Sequence, residues 1–475
     1  MNRARRLLIL FVFGVTGWGV VIGSADPTSL VPPHQPVKGI SGLVVDEAGP
    51  CDEARIRRAG RVPGTLSNSE GQFFLPIKDN MERPITITAW KSRHFIAAAS
   101  TTGDVPISLR LRPWPQTDNT DYRWVNPTPH KETFSCGTCH ESLYNDWSQS
   151  AHGPKRPRFE SVWRELEQQA PEKSAVCLSC HDPAPFHPKV EFGSWSASGV
   201  HCDFCHKVVD AVSEPIGLTH GRFGLDLLRP GEGQFIVGPW IDSPRPENSY
   251  APIQRSSRFC APCHEGIVFG VRAYETYSEW LASPAARLGL QCQDCHMKST
   301  GTMTNVAPNH GGVERHPNTV SNHRFLAGDL LTMLKEAVTM SLDVHQRHAV
   351  VSIDVRRVGH RVPTGSPDRE LILEIRFYDA MNRLLAAKYQ TFAKRLSDAA
   401  GNSPVPFWHA VSELSDSRLS PDRPWHGAFR LPAETAWIEA NLLYHRPKRD
   451  ASTTSDMETE RVHWIRRPVK NFRHR

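Results

Sequence analysis

Apolar and polar positions follow four successive rhythms along the chain. The first, LLILFVFGVTGWGVVIG, is almost continuously apolar and follows the arginines of MNRARR. A basic start, an apolar core and the small residues Gly23, Ser24 and Ala25 before Asp26 form the layout of a cleaved export signal. An uncleaved membrane anchor is the alternative, because 17 apolar or neutral residues fall just short of a bilayer span. In residues 38–112 apolar positions alternate, in ITITAW and ISLRLRP, between turns rich in Gly, Asn, Asp and Pro. Alternation puts successive side chains on opposite faces of a strand, which predicts a small all-β sandwich. After residue 140 the spacing lengthens. Leu143, Tyr144 and Trp147 lie at helical intervals and predict a helix running on from residue 140, and LLTMLKEAVTMSL predicts another. Strand rhythm returns in VVSIDVRRV, ELILEIRFYD, LLAAKYQTFAKRL and TAWIEANLLYHR, which predict a second sandwich.

These rhythms divide the chain into seven parts. An export signal at 1–25 and a linker at 26–37 lead into a β-sandwich at 38–112. A polar, proline-containing linker at 113–135 precedes a central, mostly helical or irregular domain at 136–325. A connecting helix at 326–345 then joins a C-terminal β domain with a basic tail at 346–475. The 38 prolines agree with many loops and short elements. The ordinary composition excludes a membrane bundle or a disordered chain.

Export changes how the eleven cysteines read. In an exported chain they would first suggest disulfides. Ten of them instead form five C-x-x-C-H motifs: CGTCH (136–140), CLSCH (177–181), CDFCH (202–206), CAPCH (260–264) and CQDCH (292–296). Zinc also uses C-x-x-C pairs but needs no histidine directly after the second cysteine. Five such histidines in a row would arise by chance with a probability of roughly 10⁻⁷, taking positions as independent. Thioredoxin-type chemistry would need one pair, not five. The pattern is that of covalent haem attachment. The thioether residues are then Cys136, Cys139, Cys177, Cys180, Cys202, Cys205, Cys260, Cys263, Cys292 and Cys295. The proximal iron ligands are His140, His181, His206, His264 and His296. Five haems c within about 160 residues must pack against one another, because so short a segment cannot wrap each in its own core.

The sixth position of each iron needs a further ligand. His152 lies twelve residues beyond His140, about 18 Å along a helix, so it cannot face the iron of its own motif. It is expected to serve a neighbouring one. His201, His220, His323 and His360 are further candidates, with His187, His310 and His316 behind them. His201 precedes Cys202 and should reach only an adjacent haem. His360 sits in the Gly/Pro-rich loop GHRVPTGSPDRE, which could press it onto a haem or merely stabilise the turn. Met297 and Met303 read as packing or surface residues, so the haems should be mainly bis-histidine and of low potential. The spacing Y-x-x-W-x-x-S-x-H of Tyr144, Trp147, Ser150 and His152 recurs as Tyr277, Trp280, Ser283 and Ala285. The scaffold is repeated and its histidine is not.

The net charge of +6 loses three arginines with the signal. Each haem brings two carboxylates, so no nucleic-acid binding is inferred, and the tail RRPVKNFRHR reads as a solvated terminus. Cys51, the unpaired cysteine, reads as an ordinary thiol in a turn.

The five motifs, the Tyr144 to His152 pattern, CQDCHM at 292–297 and HRF at 323–325 resemble exported multihaem c-type cytochromes. That superfamily includes the tetrahaem cytochrome of ammonia oxidisers, hydroxylamine oxidoreductase and pentahaem nitrite reductase. GHRVPTG is also similar to runs in multihaem cytochromes of metal-reducing bacteria. The spacing of GISGLVVDEAGP and GTLSNSEGQFFL resembles the carboxypeptidase regulatory-like domain, which implies an immunoglobulin-like, non-catalytic sandwich at 38–112. No motif ends in the lysine of the nitrite reductases, and five motifs are too few for hydroxylamine oxidoreductase. The resemblance therefore implies an electron carrier between a periplasmic or membrane donor and a redox partner. It would work in the periplasm or at the cell surface, within a membrane-associated or cell-surface cytochrome complex. The alternative is a reductase or oxidase of a small nitrogen or sulfur compound, which needs one iron with an open axial position.

Overall fold

The computed structural model describes residues 38–469 except 79–81, 133, 155–156, 170, 185–198, 213–220, 326–329 and 448–456. The expected export signal, the linker 26–37, His187 and His220 lie outside the described residues.

Residues 38–112 form two sheets around one core. In the first, Gly39–Val45 lies between Gln72–Pro76, antiparallel, and Ile107–Arg110, parallel. The second has the order Gly64–Leu66, Arg55–Arg58, Ile85–Trp90, Ala97–Thr101. Alternation does what the sequence predicts: Phe73 and Leu75 turn inward while Gln72, Phe74 and Pro76 face solvent. Ile40, Val44, Ile56, Ile85, Ile87 and Leu109 meet between the sheets, at about 1.5–3 kcal/mol for each fully buried side chain. Cys51 is buried there, and its thiol is pushed up to about 11 by burial and by Asp46.

The segment 113–135 has little regular structure but is more than a spacer. Trp114 is buried and its indole Nε1 donates to Ser249 Oγ at 2.8 Å. Asp118 pairs with the largely buried Arg229. Tyr122 Oη donates to the buried Asp203, and the Val125 amide donates to the same carboxylate at 2.9 Å. Phe95 and Trp114 join Phe204, Val208, Phe235 and Val237 in one apolar cluster, which fastens the first β unit to the central region. Its many polar residues hid these anchors from a reading by composition.

The central region is built from short pieces. Each cysteine motif lies on a short helix or directly beside one: Cys136–Cys139, Pro171–His181, Cys202–Cys205, Ala261–His264 and Cys292–His296. Between them run helices such as Pro157–Gln169 and Thr276–Ala282, and two-stranded ribbons such as Glu265–Val268 with Val271–Glu275. The helix expected to run from residue 140 covers Glu141–Ser148 and stops there. Ser150 turns the chain, its Oγ accepting the His152 amide at 3.1 Å, so His152 stands beyond the helix end.

The C-terminal unit contains the largest correction. Among the described residues of the connecting helix expected over 326–345, Leu330–Ala337 is helical and Val338–His345 is a strand. VTMSLDVH carries buried Val338 and Leu342 on one face with period two, and it pairs antiparallel with His348–Val355. That strand pairs in turn with Trp425–Arg430. A second sheet has the order Leu384–Phe392, Glu370–Tyr378, Trp437–Pro447, Met457–Pro468. The two sheets share Leu342, Val351, Ile353, Leu371, Ile375, Phe377 and Leu442 as core, with Leu334 of the short helix packed against it. A small ribbon, Lys394–Ser397 with Ser412–Asp416, reaches back to the central region, where Leu396 and Ala410 bury Val271. No helix among the described residues is long and apolar enough to cross a membrane.

Candidate functional site

A helical turn explains why the five motifs have the spacing they do. Residues i, i+3 and i+4 of a helix share a face, so both cysteines and the histidine of C-x-x-C-H project together. The closing hydrogen bond of that turn is present at His140 to Cys136 (2.9 Å), His206 to Cys202 (3.0 Å) and His264 to Cys260 (3.0 Å), amide to carbonyl.

Two of the motif imidazoles are oriented as ligands. His140 Nδ1 lies 2.9 Å from the Val306 carbonyl oxygen, and His206 Nδ1 lies 2.6 Å from that of Val237. A carbonyl can only accept, so Nδ1 carries the proton and Nε2 keeps its lone pair for a metal. Desolvation lowers His206, His264, His296, His323 and His360, to about 4 for His296 and about 3 for His323. They are neutral at pH 7, as metal ligation requires.

Two pairs of imidazoles lie close together. The ring centres of His152 and His264 are 6.0 Å apart with planes at 78°, and those of His296 and His360 are 6.2 Å apart with planes at 20°. A metal–imidazole bond of about 2.0–2.1 Å, with the ring centre about 1.1 Å behind its nitrogen, puts two rings flanking one ion about 6.3 Å apart. The spacing matches. Each pair includes one motif histidine, flanked by two cysteines on its own helical turn. This donor set suits haem c: two thiols for attachment and two imidazoles for the axial positions, with the porphyrin supplying the rest. A structural zinc site would instead gather four protein ligands around one point.

The other candidates differ. His323 is buried close to His206 and His140, and burial is what chiefly lowers it. His201 caps the helix Cys202–Cys205: its Nδ1 accepts the Phe204 amide at 3.3 Å, and its ring meets Trp124 edge-on. An accepting Nδ1 places the proton on Nε2, the reverse of the ligand arrangement at His140 and His206. His316 is likewise a helix cap, accepting the Asn318 amide at 3.3 Å, and both it and His310 are exposed. Phe159 stacks on His181 with ring centres 4.2 Å apart.

Thiols of different motifs meet in pairs. Cys136 lies beside Cys202, Cys180 beside Cys263, and Cys260 beside Cys292. Cys205 lies near Cys260 and Cys263. The first motif therefore adjoins the third, the third the fourth and the fourth the fifth, while the second joins at the fourth. Sequence reading missed this order, and also the buried pair Asp203 and Lys207 at the third motif. The order depends on tertiary packing and leaves no local signal, whereas Asp203 and Lys207 stand at the i,i+4 spacing that could have marked them as a pair.

Residues 135–207 match the family model described as cytochrome c554 and c-prime. Among solved structures, a penta-heme cytochrome c552 from Thermochromatium tepidum is similar at 21% identity and a TM-score of 0.51. The likeness covers 70% of this chain and 97% of that chain, and at this identity it speaks for the fold. No curated protein sequence matches the chain. The family match and the structural likeness support a multihaem c-type cytochrome.

Proposed function

We propose that this chain is an electron-transfer cytochrome with five covalently attached haems c, exported from the cytoplasm. Each haem supplies a site that gains and gives up one electron. The protein's part is to hold these sites in a fixed row and to fill their axial positions. The row runs through the first, third, fourth and fifth motifs, with the second as a branch at the fourth, as the thiol contacts suggest.

The observation that carries the reading is the closeness of His152 and His264, whose ring centres are 6.0 Å apart. His152 follows the first motif, whereas His264 belongs to the fourth. One short segment would thus hold two sites in a set relation. With His323 beside His206 and His140, the described histidines favour irons coordinated by two imidazoles and hence a carrier. The partners are a redox donor and a redox acceptor, in the periplasm or in a membrane-associated or cell-surface complex. The flanking β units suit docking or assembly. Nothing in the charge distribution favours nucleic acid. The alternative, a reductase or oxidase of a small nitrogen or sulfur compound, drew on Ala285 as the place of a missing histidine.

The test is the covalent haem count of the exported, full-length protein, by mass and by the pyridine haemochrome spectrum. Five haems per chain are expected. Fewer than five, or metal content without porphyrin, would overturn the reading.

A further inference from the structure

We propose that His360, from the C-terminal β unit, is the sixth ligand of the iron held by His296, and that it replaces the histidine which the repeated aromatic pattern lacks at Ala285. The inference rests on the multihaem reading above.

The two copies of the pattern are built alike. Tyr144 and Trp147 have ring centres 5.8 Å apart, Tyr277 and Trp280 5.4 Å, both tilted. Each indole donates to a backbone carbonyl at 2.9 Å, Trp147 to Val200 and Trp280 to Leu290. Each serine is buried, with its amide donating to the tryptophan carbonyl at 2.9 Å. The copies part company two residues later. The first presents His152 to His264. The second has Ala285, and a loop from another unit arrives there.

Gly359 makes that arrival possible. A Cβ at 359 would stand 2.8 Å from Trp280 Cδ1 and 3.3 Å from the Ala285 Cβ. A larger side chain at either position would push the loop off its seat. The next residue, His360, lies 6.2 Å from His296 between ring centres. Its Nδ1 is 3.0 Å from the Arg361 carbonyl oxygen, so Nδ1 carries the proton and Nε2 is left with its lone pair, as at His140 and His206.

An ionic clamp holds the loop to the helix Thr276–Ala282. The Arg361 amide donates to Glu279 at 2.9 Å, and Thr276 and Thr364 share a hydrogen bond of 2.8 Å. The buried Arg418 guanidinium bridges Glu279 (2.5 Å) and Asp416 (2.7 Å), and Lys394 meets Glu275 at 2.7 Å. The carboxylates of Glu275, Glu279 and Asp416 lie close together, and they are already paired with cations, Glu279 and Asp416 with Arg418, and Glu275 with Lys394, which also meets Glu413. They position the loop. The β unit thereby becomes part of the haem site.

The test compares the full-length, haem-loaded protein with H360G. Covalent haem is counted first, so that failure of the multihaem reading shows as a low count in the wild type. With five haems in both, the proposal expects one haem of H360G to turn from low-spin to high-spin in the ferric EPR spectrum. That haem should bind carbon monoxide when reduced and return to low-spin on addition of imidazole. H360G with the wild-type spectrum and no added carbon monoxide binding would overturn the proposal. Should H360G fail to assemble, H360M is used, with a thioether in place of the imidazole. It should raise the midpoint potential of one haem alone, and an unchanged redox titration would sink the idea.

Discussion

Asp203, within the third motif, and Lys207, directly after it, form an ion pair with side chains 1% and 0% exposed. Burial pulls the ammonium below its ordinary value, and the carboxylate opposes that shift. Asp203 also accepts from Tyr122 and from the Val125 amide, so its charge organises three contacts. D203N leaves a buried ammonium unpaired and should cost about 3–5 kcal/mol, read as a lowered denaturant midpoint. The double variant D203N/K207M should recover most of that loss, and equal loss in both would contradict a charge-pair role. At His152 the prediction is spectroscopic. Near-perpendicular imidazole planes give a strongly anisotropic low-spin ferric signal, whereas near-parallel planes give an ordinary rhombic one. H152A should remove an anisotropic signal assigned to the 78° pair and leave the rhombic signal of the 20° pair, measured by low-temperature EPR. Loss of the rhombic signal instead would reassign the residues.

At the scale of elements, the segment 113–135 shows why composition misleads. It is polar and proline-containing, yet Asp118, Tyr122 and Trp114 each hold a partner across a long sequence distance. Burial pushes the Asp118 carboxyl up, but hydrogen bonds and charge from Arg229 more than offset this and hold it below its usual value. A depressed carboxyl contributes stability that is present above its unfolded value, about 3.9, and is lost as pH falls through the folded one. The stability gap between wild type and D118N should therefore be largest at pH 7 and shrink below about pH 4. A gap constant from pH 7 to pH 3 in denaturant titrations would contradict this. The strand Val338–His345 teaches a related lesson. In LLTMLKEAVTMSL the first half keeps helical spacing, but Val338, Met340 and Leu342 alternate, and their pairing with His348–Val355 makes the second half a strand. The five motifs were legible because their geometry is local to one helical turn. His152 and Ala285 were visible as a pattern and its lapse, but the loop that answers the lapse comes from residue 359 onward, and no short-range rhythm links the two.

For the molecule as a whole, the thiol contacts order the motifs one, three, four, five, with two beside four, which the chain order does not suggest. Neighbouring motifs in sequence are thus not always neighbours in space. The sheet-forming units close around the centre from both ends, the first through Phe95 and Trp114, the last through Leu396 and Ala410. The sequence rhythms showed these units as β, and only the fold shows that both are built onto the central region. The central claim is that the haem irons are axially filled and serve electron transfer rather than substrate chemistry. Low-temperature EPR of the oxidised, fully haem-loaded protein, followed by carbon monoxide addition to the reduced form, tests it most directly. The account predicts five low-spin haems and no gas binding. A high-spin haem that binds carbon monoxide in the wild-type protein would contradict it and turn the search toward small-substrate turnover.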